Sequence, residues 1–328
     1  DITIGTYVFY QTVNLTEVVL PEGLATIPRN LFYYATGLRK IEIPATVTTI
    51  EAQAFYMASA LETVTFAAGG TEPLTIADAK AATGSSTGAG YAAFYGCKKL
   101  TEIVLPERTA YIGSYAFDVS GTESQYTGQT SYASSLTRVV IPDNVETIGE
   151  YAFKYAARLS EVVIGENSKL TAIPGGLFYG CSSLTSFTIP AGVTTIGYNA
   201  FYKAGITSIA LPEGLTEIGY YAFGYTKLAS IVIPKNVTRL GGKSSQTSSS
   251  IYGSSFYGCT ELESVTFEEG SALTSIESSA FSGCTKLASI VLPDKLEKIG
   301  TAVFSKTTIS SITIPASVTT IDTNAFEY

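Results

Sequence analysis

The stretch LTSFTIPAGVTTIGYNAF, residues 184–201, decides the fold. Its apolar residues alternate up to Ile189, which indicates a short strand with one side turned inward. Proline follows and ends the strand, because proline cannot donate the next ladder hydrogen bond. A second extended segment ends at Ile196, and Gly197 after it predicts a tight corner with positive φ. Phe201 closes the unit as a buried aromatic residue.

The same unit recurs along the whole chain. The Ile-Pro or Leu-Pro pair ends at Pro21, Pro44, Pro106, Pro142, Pro190, Pro212, Pro234, Pro293 and Pro315. Three further copies keep only the apolar residue, at Phe66, Ile164 and Phe267. The glycine recurs at Gly113, Gly149, Gly219 and Gly300, and the phenylalanine follows about 11 residues after the proline position in most copies. The sequence therefore contains about twelve strand units with a period of ~23 residues.

A unit of this size cannot bury its own Leu, Ile, Val and Phe side chains, but stacking on its neighbours buries them. We therefore expect a mostly β, right-handed parallel repeat solenoid of about 12 coils with one continuous parallel sheet and a buried column of phenylalanines. It is expected to fill residues 1–328 as a single domain. Three Gly-, Ser- and Thr-rich insertions, near 77–90, 118–133 and 241–251, are expected to be surface loops, either tolerated or used for binding.

Composition argues against several classes of function. The chain has 328 residues, no histidine, a net charge of -8 and an isoelectric point near 4.8. Without histidine, a Ser-His-Asp or Cys-His catalytic site is impossible, and neither a phosphate-binding motif nor a metal-binding spacing appears. The acidic charge and the lack of a basic cluster argue against nucleic acid. No apolar run approaches the ~20 residues that span a bilayer. We expect no enzyme activity, no cofactor and no membrane span in this segment.

The repeat resembles the BspA-type leucine-rich repeat of bacterial surface proteins, with IPxxVTxIGxxAFxxC as the most specific stretch. The likeness covers the chain from Ile4 to Phe326 apart from the insertions. It implies a leucine-rich-repeat solenoid that is secreted or held at the cell surface and takes part in adhesion or protein binding, and it implies no catalytic residues. We expect no signal peptide or anchor within this segment, which opens inside a repeat.

Four cysteines occupy one repeat position, three residues after the phenylalanine: Cys97, Cys181, Cys259 and Cys284. Other copies place Ala or Thr there, so the position favours a small residue and the cysteines are predicted to be buried free thiols. Cys259 and Cys284 lie in adjacent coils, and a disulfide between them is the alternative.

Tyrosine often follows the repeat phenylalanine directly, at Tyr10, Tyr33, Tyr56, Tyr95, Tyr179, Tyr202 and Tyr257. These rings would cover the edge of the phenylalanine column with an apolar body and a hydrated hydroxyl. The alternative is that they stack on sugars, as in a carbohydrate-binding module, or on a protein.

Outward residues of the strands before proline should form ladders from coil to coil. One ladder is charged in five of the first six coils, with Thr63 in the third, and becomes serine from Ser186 onward. Mixed charges can orient a partner, whereas serines carry little specificity. The candidate partner-binding residues are Glu17, Arg39, Lys40, Glu42, Glu62, Glu102, Arg138 and Glu161; the alternative is that these charges only keep the face hydrated.

The sequence thus predicts an adhesin-like, extracellular or cell-surface protein-binding scaffold, with a carbohydrate-binding module or a structural spacer for another domain as alternatives.

Overall fold

The computed structural model describes residues 2–78, 92–119, 134–241 and 254–327. The predicted insertions near 77–90, 118–133 and 241–251 lie almost entirely outside the described residues. The chain forms two compact units, unit 1 at Asp1–Leu170 and unit 2 at Thr171–Tyr328. All regular secondary structure in the described ranges is β-strand. That the chain is one solenoid over 1–328 stays a prediction.

Unit 1 carries two kinds of strand, which alternate along the chain. The front strands end at the proline position: β1 Glu17–Val18, β3 Lys40–Ile43, β5 Thr63–Phe66, β7 Glu102–Val104, β9 Arg138–Ile141 and β11 Glu161–Ile164. The side strands follow the proline turn: β2 Thr26–Ile27, β4 Thr49–Ile50, β6 Leu74–Ile76, β8 Thr109–Ile112 and β10 Thr147–Ile148. All pairings are parallel. The parallel, mostly β repeat fold expected from the sequence is confirmed.

Unit 2 repeats this plan with fewer front strands. Its front strands are β15 Ser230–Ile233 and β17 Ser264–Phe267. Its side strands are β12 Ala172–Ile173, β13 Thr195–Ile196, β14 Glu217–Ile218, β16 Arg239–Leu240, β18 Ser275–Ile276, β19 Lys298–Ile299 and β20 Thr320–Ile321. These seven side strands form one parallel sheet.

The expected single continuous sheet of front strands is wrong. The described front strands form three short sheets, β1-β3-β5, β7-β9-β11 and β15-β17, whereas the side strands form a five-stranded sheet in unit 1 and the seven-stranded sheet in unit 2. Front segments such as 185–189 and 288–292 contain no strand. Their inward residues Phe187, Ile189, Ile290 and Leu292 are nevertheless buried. The alternating pattern therefore reports side-chain burial, and it does not report whether adjacent backbones hydrogen-bond.

The phenylalanine column is confirmed within each unit. Phe32, Phe55, Phe153, Phe201 and Phe223 are completely buried. In unit 1 successive rings stack with centroids 4.8 to 5.3 Å apart. In unit 2 the spacing is 5.2 to 5.9 Å. Burying a phenylalanine contributes about 1.5 to 3 kcal/mol, and each stacked aromatic pair adds to this.

Each phenylalanine sits in a turn, here called the Phe turn, in which residues on either side of it adopt the left-handed backbone conformation. The residues two before and two after the phenylalanine have positive φ in most coils, as at Asn30 and Tyr34 around Phe32. The phenylalanine N–H donates to the following coil, as from Phe32 to the Ala54 carbonyl at 2.8 Å. The N–H two residues later does the same, as from Tyr34 to Tyr56 at 2.8 Å. The Phe turns thus form their own inter-coil ladder.

Five glycines after side strands were expected to have positive φ and do not have it. None of Gly113, Gly149, Gly197, Gly219 and Gly300 adopts it. A Cβ on Gly197 would instead lie 2.6 Å from the Gly175 nitrogen, and the other four positions are equally crowded by backbone of the neighbouring coil. Glycine is needed here because two backbones approach closely.

Candidate interaction surface

The front face of unit 1 is built by strict alternation along its strands. In β3 the side chains of Ile41 and Ile43 are buried, while Lys40 and Glu42 are exposed. Because successive side chains of a strand point to opposite faces, a parallel register carries equivalent outward residues into one row. Rows of outward residues therefore cross this face from coil to coil.

The predicted charge ladder forms in register. Glu17 pairs with Lys40 across β1 and β3, and their side chains form an ion pair of 2.8 Å. Arg138 on β9 lies between Glu102 on β7 and Glu161 on β11, and its guanidinium bonds both carboxylates, Glu161 at 3.2 Å. These hydrogen bonds raise the pKa of Arg138. The pairs are exposed, so they contribute little to stability and fix side-chain orientation instead.

The remaining candidates flank these pairs. Glu62 faces Lys99 with an N–O separation of 3.9 Å. Arg39 and Glu42 are exposed, and neither takes part in an ion pair within the described residues. The structure therefore places all eight candidates in unit 1, and of these eight only Arg39 and Glu42 form no ion pair with the described residues. Whether any of them binds a partner stays a prediction.

A row of valines that are exposed or, at Val140, half-buried runs beside the charge ladder. Val104, Val140 and Val163 are paired in register, two residues after Glu102, Arg138 and Glu161. Val104 is 48% exposed and Val163 is 36% exposed, and Val19 in the first front segment is 89% exposed. Sequence analysis did not select these valines, although the period of two predicts their outward position. An apolar strip beside a charged strip has the composition of a protein interface, whose centre is apolar and whose rim is polar.

Two grooves cut the same face. One of about 360 Å³ lies over the first three coils, lined by Val19, Lys40 and Glu42 among others. The other, of about 390 Å³, lies between β5 and β7, which belong to different sheets, and Glu62 and Val104 line it. Both grooves are open and shallow, so they suit an extended segment or a protein surface better than an enclosed small molecule.

The serine row expected in unit 2 is aligned where front strands exist. Ser230 on β15 pairs with Ser264 on β17. Within unit 2 the equivalent Ser186, Ser208, Ser289 and Ser311 lie in segments without strand structure. Short hydroxyls on a less regular backbone offer neither the charge nor the fixed geometry of the unit 1 ladder.

The tyrosines that follow the phenylalanines are arranged differently in the two units. In unit 1, Tyr33, Tyr56 and Tyr95 stack face to face at 4.7 and 5.3 Å, and Tyr95 is buried. Tyr10, at 45% exposure, lies at the end of this stack, tilted against Tyr33. Faces that cover one another are closed to a sugar ring. In unit 2, Tyr179 stacks on Tyr202 at 4.8 Å, but further rings around Tyr202 and Tyr257 meet edge to face.

The four cysteines are free and buried, as predicted from their repeat position. Burial raises the pKa of the Cys259 thiol to about 11 and also raises the pKa of Cys97 and Cys284. Cys259 donates to the Phe223 carbonyl at 3.0 Å and Cys284 to the Phe256 carbonyl at 3.2 Å. A high pKa and no solvent access make these thiols poor nucleophiles.

Residues 2–78, 92–119, 134–241 and 254–327 contain neither a cluster of metal ligands nor a membrane-spanning helix. No three His, Cys, Asp or Glu side chains in these ranges come together as metal ligands would. No helix in the same ranges is long and apolar enough to cross a membrane.

Comparison with known proteins identifies the repeat. A family model described as the BspA type leucine-rich repeat region, in 6 copies, matches residues 2–75, 83–131, 125–250 and 243–328. No curated protein sequence is a significant match to the chain.

Several solved structures share the fold. A leucine-rich repeat protein from Eubacterium ventriosum ATCC 27560 is 25% identical, with 95% of this chain and 82% of that chain covered and a TM-score of 0.51. A leucine-rich repeat protein from Bacteroides ovatus ATCC 8483 is 24% identical, with 93% and 82% covered and a TM-score of 0.57. The pneumococcal vaccine antigen PcpA is 19% identical, with 94% and 68% covered and a TM-score of 0.52. These likenesses show that the parallel coils are those of a leucine-rich-repeat fold.

Proposed function

Because the chain belongs to the BspA-type leucine-rich-repeat family, we propose that it is a non-catalytic binding scaffold that holds a protein partner on the front face of unit 1. Leucine-rich-repeat proteins present extended surfaces for protein interaction. We further propose an adhesin-like role outside the cell or at its surface, which follows the resemblance of the repeat to those of bacterial surface proteins.

One observation carries the choice of face. The ionic row Glu102–Arg138–Glu161 lies in register beside the valine row Val104–Val140–Val163. A partner that covers the valines removes apolar surface from water, while the charges beside them set its orientation. Arg39 and Glu42, without ion-pair partners in the described ranges, add charges that a partner can neutralise.

The test uses the full chain against a panel of purified extracellular-matrix and serum proteins. A partner that binds the wild-type chain is measured again with the Lys40→Glu and Arg138→Glu double variant. We expect at least about tenfold weaker binding, equivalent to 1.4 kcal/mol. A second variant, Val140→Lys, places a charge in the valine row and is expected to weaken binding by a similar factor.

The matched control is the Ser230→Glu and Ser289→Glu double variant, which changes two exposed positions of the serine row in unit 2. We expect it to bind as the wild type does. Equal losses in the control and in the Lys40 and Arg138 variant would contradict the front face of unit 1 as the binding surface. The thermal midpoint of each variant checks that the fold is intact, since exposed ion pairs contribute little to stability.

A further inference from the structure

Four tyrosines of unit 2 form a closed cluster, here called the tyrosine quartet: Tyr202, Tyr221, Tyr225 and Tyr257. Tyr202 meets Tyr221 and Tyr225 at centroid distances of 5.5 Å, with interplanar angles of 81° and 85°. Tyr257 meets the same two rings at 5.4 and 5.5 Å, at 78° and 65°. Each ring therefore touches two others edge to face, a favourable aromatic geometry.

The Phe turns explain why the quartet forms in these coils. Tyr202 and Tyr257 follow the repeat phenylalanines directly, whereas Tyr221 and Tyr225 are the two positive-φ residues around Phe223. Glycines leave room for the rings. A Cβ on Gly224 would lie 2.8 Å from the Tyr221 ring, and one on Gly258 would lie 2.7 Å from the Tyr225 ring.

The quartet leaves aromatic surface open, in contrast to the stacked tyrosines of unit 1. Tyr225 is 44% exposed, and the other three rings are half-buried. Edge-to-face contacts within the quartet do not cover a ring with a parallel neighbour, although Tyr179 covers one face of Tyr202 at 4.8 Å. A partly exposed ring in a rigid cluster suits the apolar face of a pyranose, and the hydroxyls around it suit sugar hydroxyls.

The charged groups near the tyrosine quartet determine whether it suits a neutral or an acidic sugar. Burial, followed by neighbouring tyrosines, raises the pKa of Tyr202 and Tyr221 to about 12, and none of the described carboxylates contributes at either ring. At Tyr115 in unit 1, by contrast, Asp118 and Glu150 contribute to the raised pKa. The quartet is therefore a carboxylate-poor site in a chain of net charge -8.

One cation lies on this site. The Lys203 ammonium is 5.4 Å from the Tyr202 ring centroid and 5.7 Å from that of Tyr225. Lys203 is exposed and forms no ion pair within the described residues. An unpaired ammonium beside an open aromatic face complements a sugar that carries a carboxylate.

We propose that the tyrosine quartet and Lys203 bind a carboxylated sugar. Tyr225 packs against the apolar face of the ring, and Lys203 pairs with the carboxylate. This site lies in unit 2 and does not depend on the protein-binding face proposed for unit 1. Uronic acids and sialic acids share the required chemistry, and the experiment separates these two sources.

The experiment measures binding of the full chain to hexagalacturonate, to sialyllactose and to neutral lactose by calorimetry. We expect binding to one of the two carboxylated probes with a dissociation constant near or below about 1 mM, and at least about tenfold weaker binding to lactose. Raising the salt concentration to about 0.5 M is expected to weaken binding, because salt screens exposed charges. The preferred carboxylated probe identifies the source.

Lys203→Gln removes the cation without removing packing and is expected to weaken binding about tenfold. Tyr225→Leu keeps an apolar side chain but removes the ring and is expected to do the same. Lys154→Gln is the matched control, because Lys154 lies 5.9, 5.2 and 5.3 Å from three tyrosine rings in unit 1, where carboxylates contribute at Tyr115. Absence of binding to both carboxylated probes, or binding that Lys203→Gln and Tyr225→Leu leave unchanged, overturns the proposal. The Lys40 and Arg138 variant is expected to bind the sugar normally, so the two proposals fail separately.

Discussion

Replacing Phe55 with alanine tests the stacking that holds the coils together. Phe55 is completely buried, and its ring lies 5.0 Å from that of Phe32 and 4.8 Å from that of Phe94. Removing a buried phenylalanine costs about 3 to 5 kcal/mol, and this range already includes the roughly 0.5 to 1.5 kcal/mol that each aromatic pair contributes. Because Phe55 loses two stacked partners, we expect a loss of about 4 to 5 kcal/mol in the free energy of unfolding.

The assay is urea unfolding followed by far-ultraviolet circular dichroism. Phe9→Ala is the matched control, since Phe9 is half-buried and stacks on one ring, Phe32 at 5.0 Å. The control is expected to lose no more than about 2 kcal/mol. A loss at Phe55 no larger than that at Phe9 would refute the reasoning, because it would mean that the middle of the column contributes no more than its end.

Three other outcomes follow from the packing. A thiol reagent at pH 8 should label the native chain slowly, since the four thiols are buried and burial raises the pKa of Cys259 to about 11. After unfolding without reductant, labelling should reach four equivalents; two equivalents would indicate a disulfide. Gly197→Ala should destabilise the folded chain by about 1 to 3 kcal/mol, because the added Cβ would lie 2.6 Å from the Gly175 nitrogen. Gly214→Ala, whose added Cβ would have its nearest contact at 4.0 Å, should be neutral or stabilise the chain by about 0.4 to 1 kcal/mol. Equal effects of the two variants in urea unfolding would contradict the close-approach explanation. In the folded chain the pKa of Tyr202 and Tyr221 is raised from 10.0 to about 12. Their contribution to stability should therefore be complete below about pH 10 and disappear between about pH 10 and 12. Absorbance at 295 nm should show their ionisation above pH 11, and ionisation of all tyrosines near pH 10 in the folded chain would contradict this prediction.

Side-chain burial was predictable from the sequence for coils with a neighbour on both sides, because there it follows repeat position, whereas Ile321 and Phe326 in the last coil are exposed. Ile196, Phe201 and Cys181 recur at fixed positions, and each is buried as expected. Parallel register followed from the same repeat, and the alignment of Glu17 with Lys40 confirms it. When repeats stack on one another, equivalent residues of neighbouring repeats come to lie side by side.

Backbone detail was less predictable. Positive φ was expected at Gly197 but occurs instead at residues such as Tyr221 and Tyr225, where neighbouring coils impose a conformation that their side chains do not favour. The gap between the sheets of β5 and β7 depends on how two backbones diverge, which no local residue pattern encodes. The quartet was missed because only two of its members follow a repeat phenylalanine, and its geometry depends on Gly224 and Gly258 in neighbouring coils.

The direction of the bonds between Phe turns also sets an order of assembly. The N–H groups of Phe32 and Tyr34 donate to the coil that comes later in the chain, at Ala54 and Tyr56. During synthesis on a ribosome, the newest Phe turn therefore has no acceptors until the next coil emerges. Each Phe turn can therefore complete these two inter-coil bonds only after the next coil has emerged.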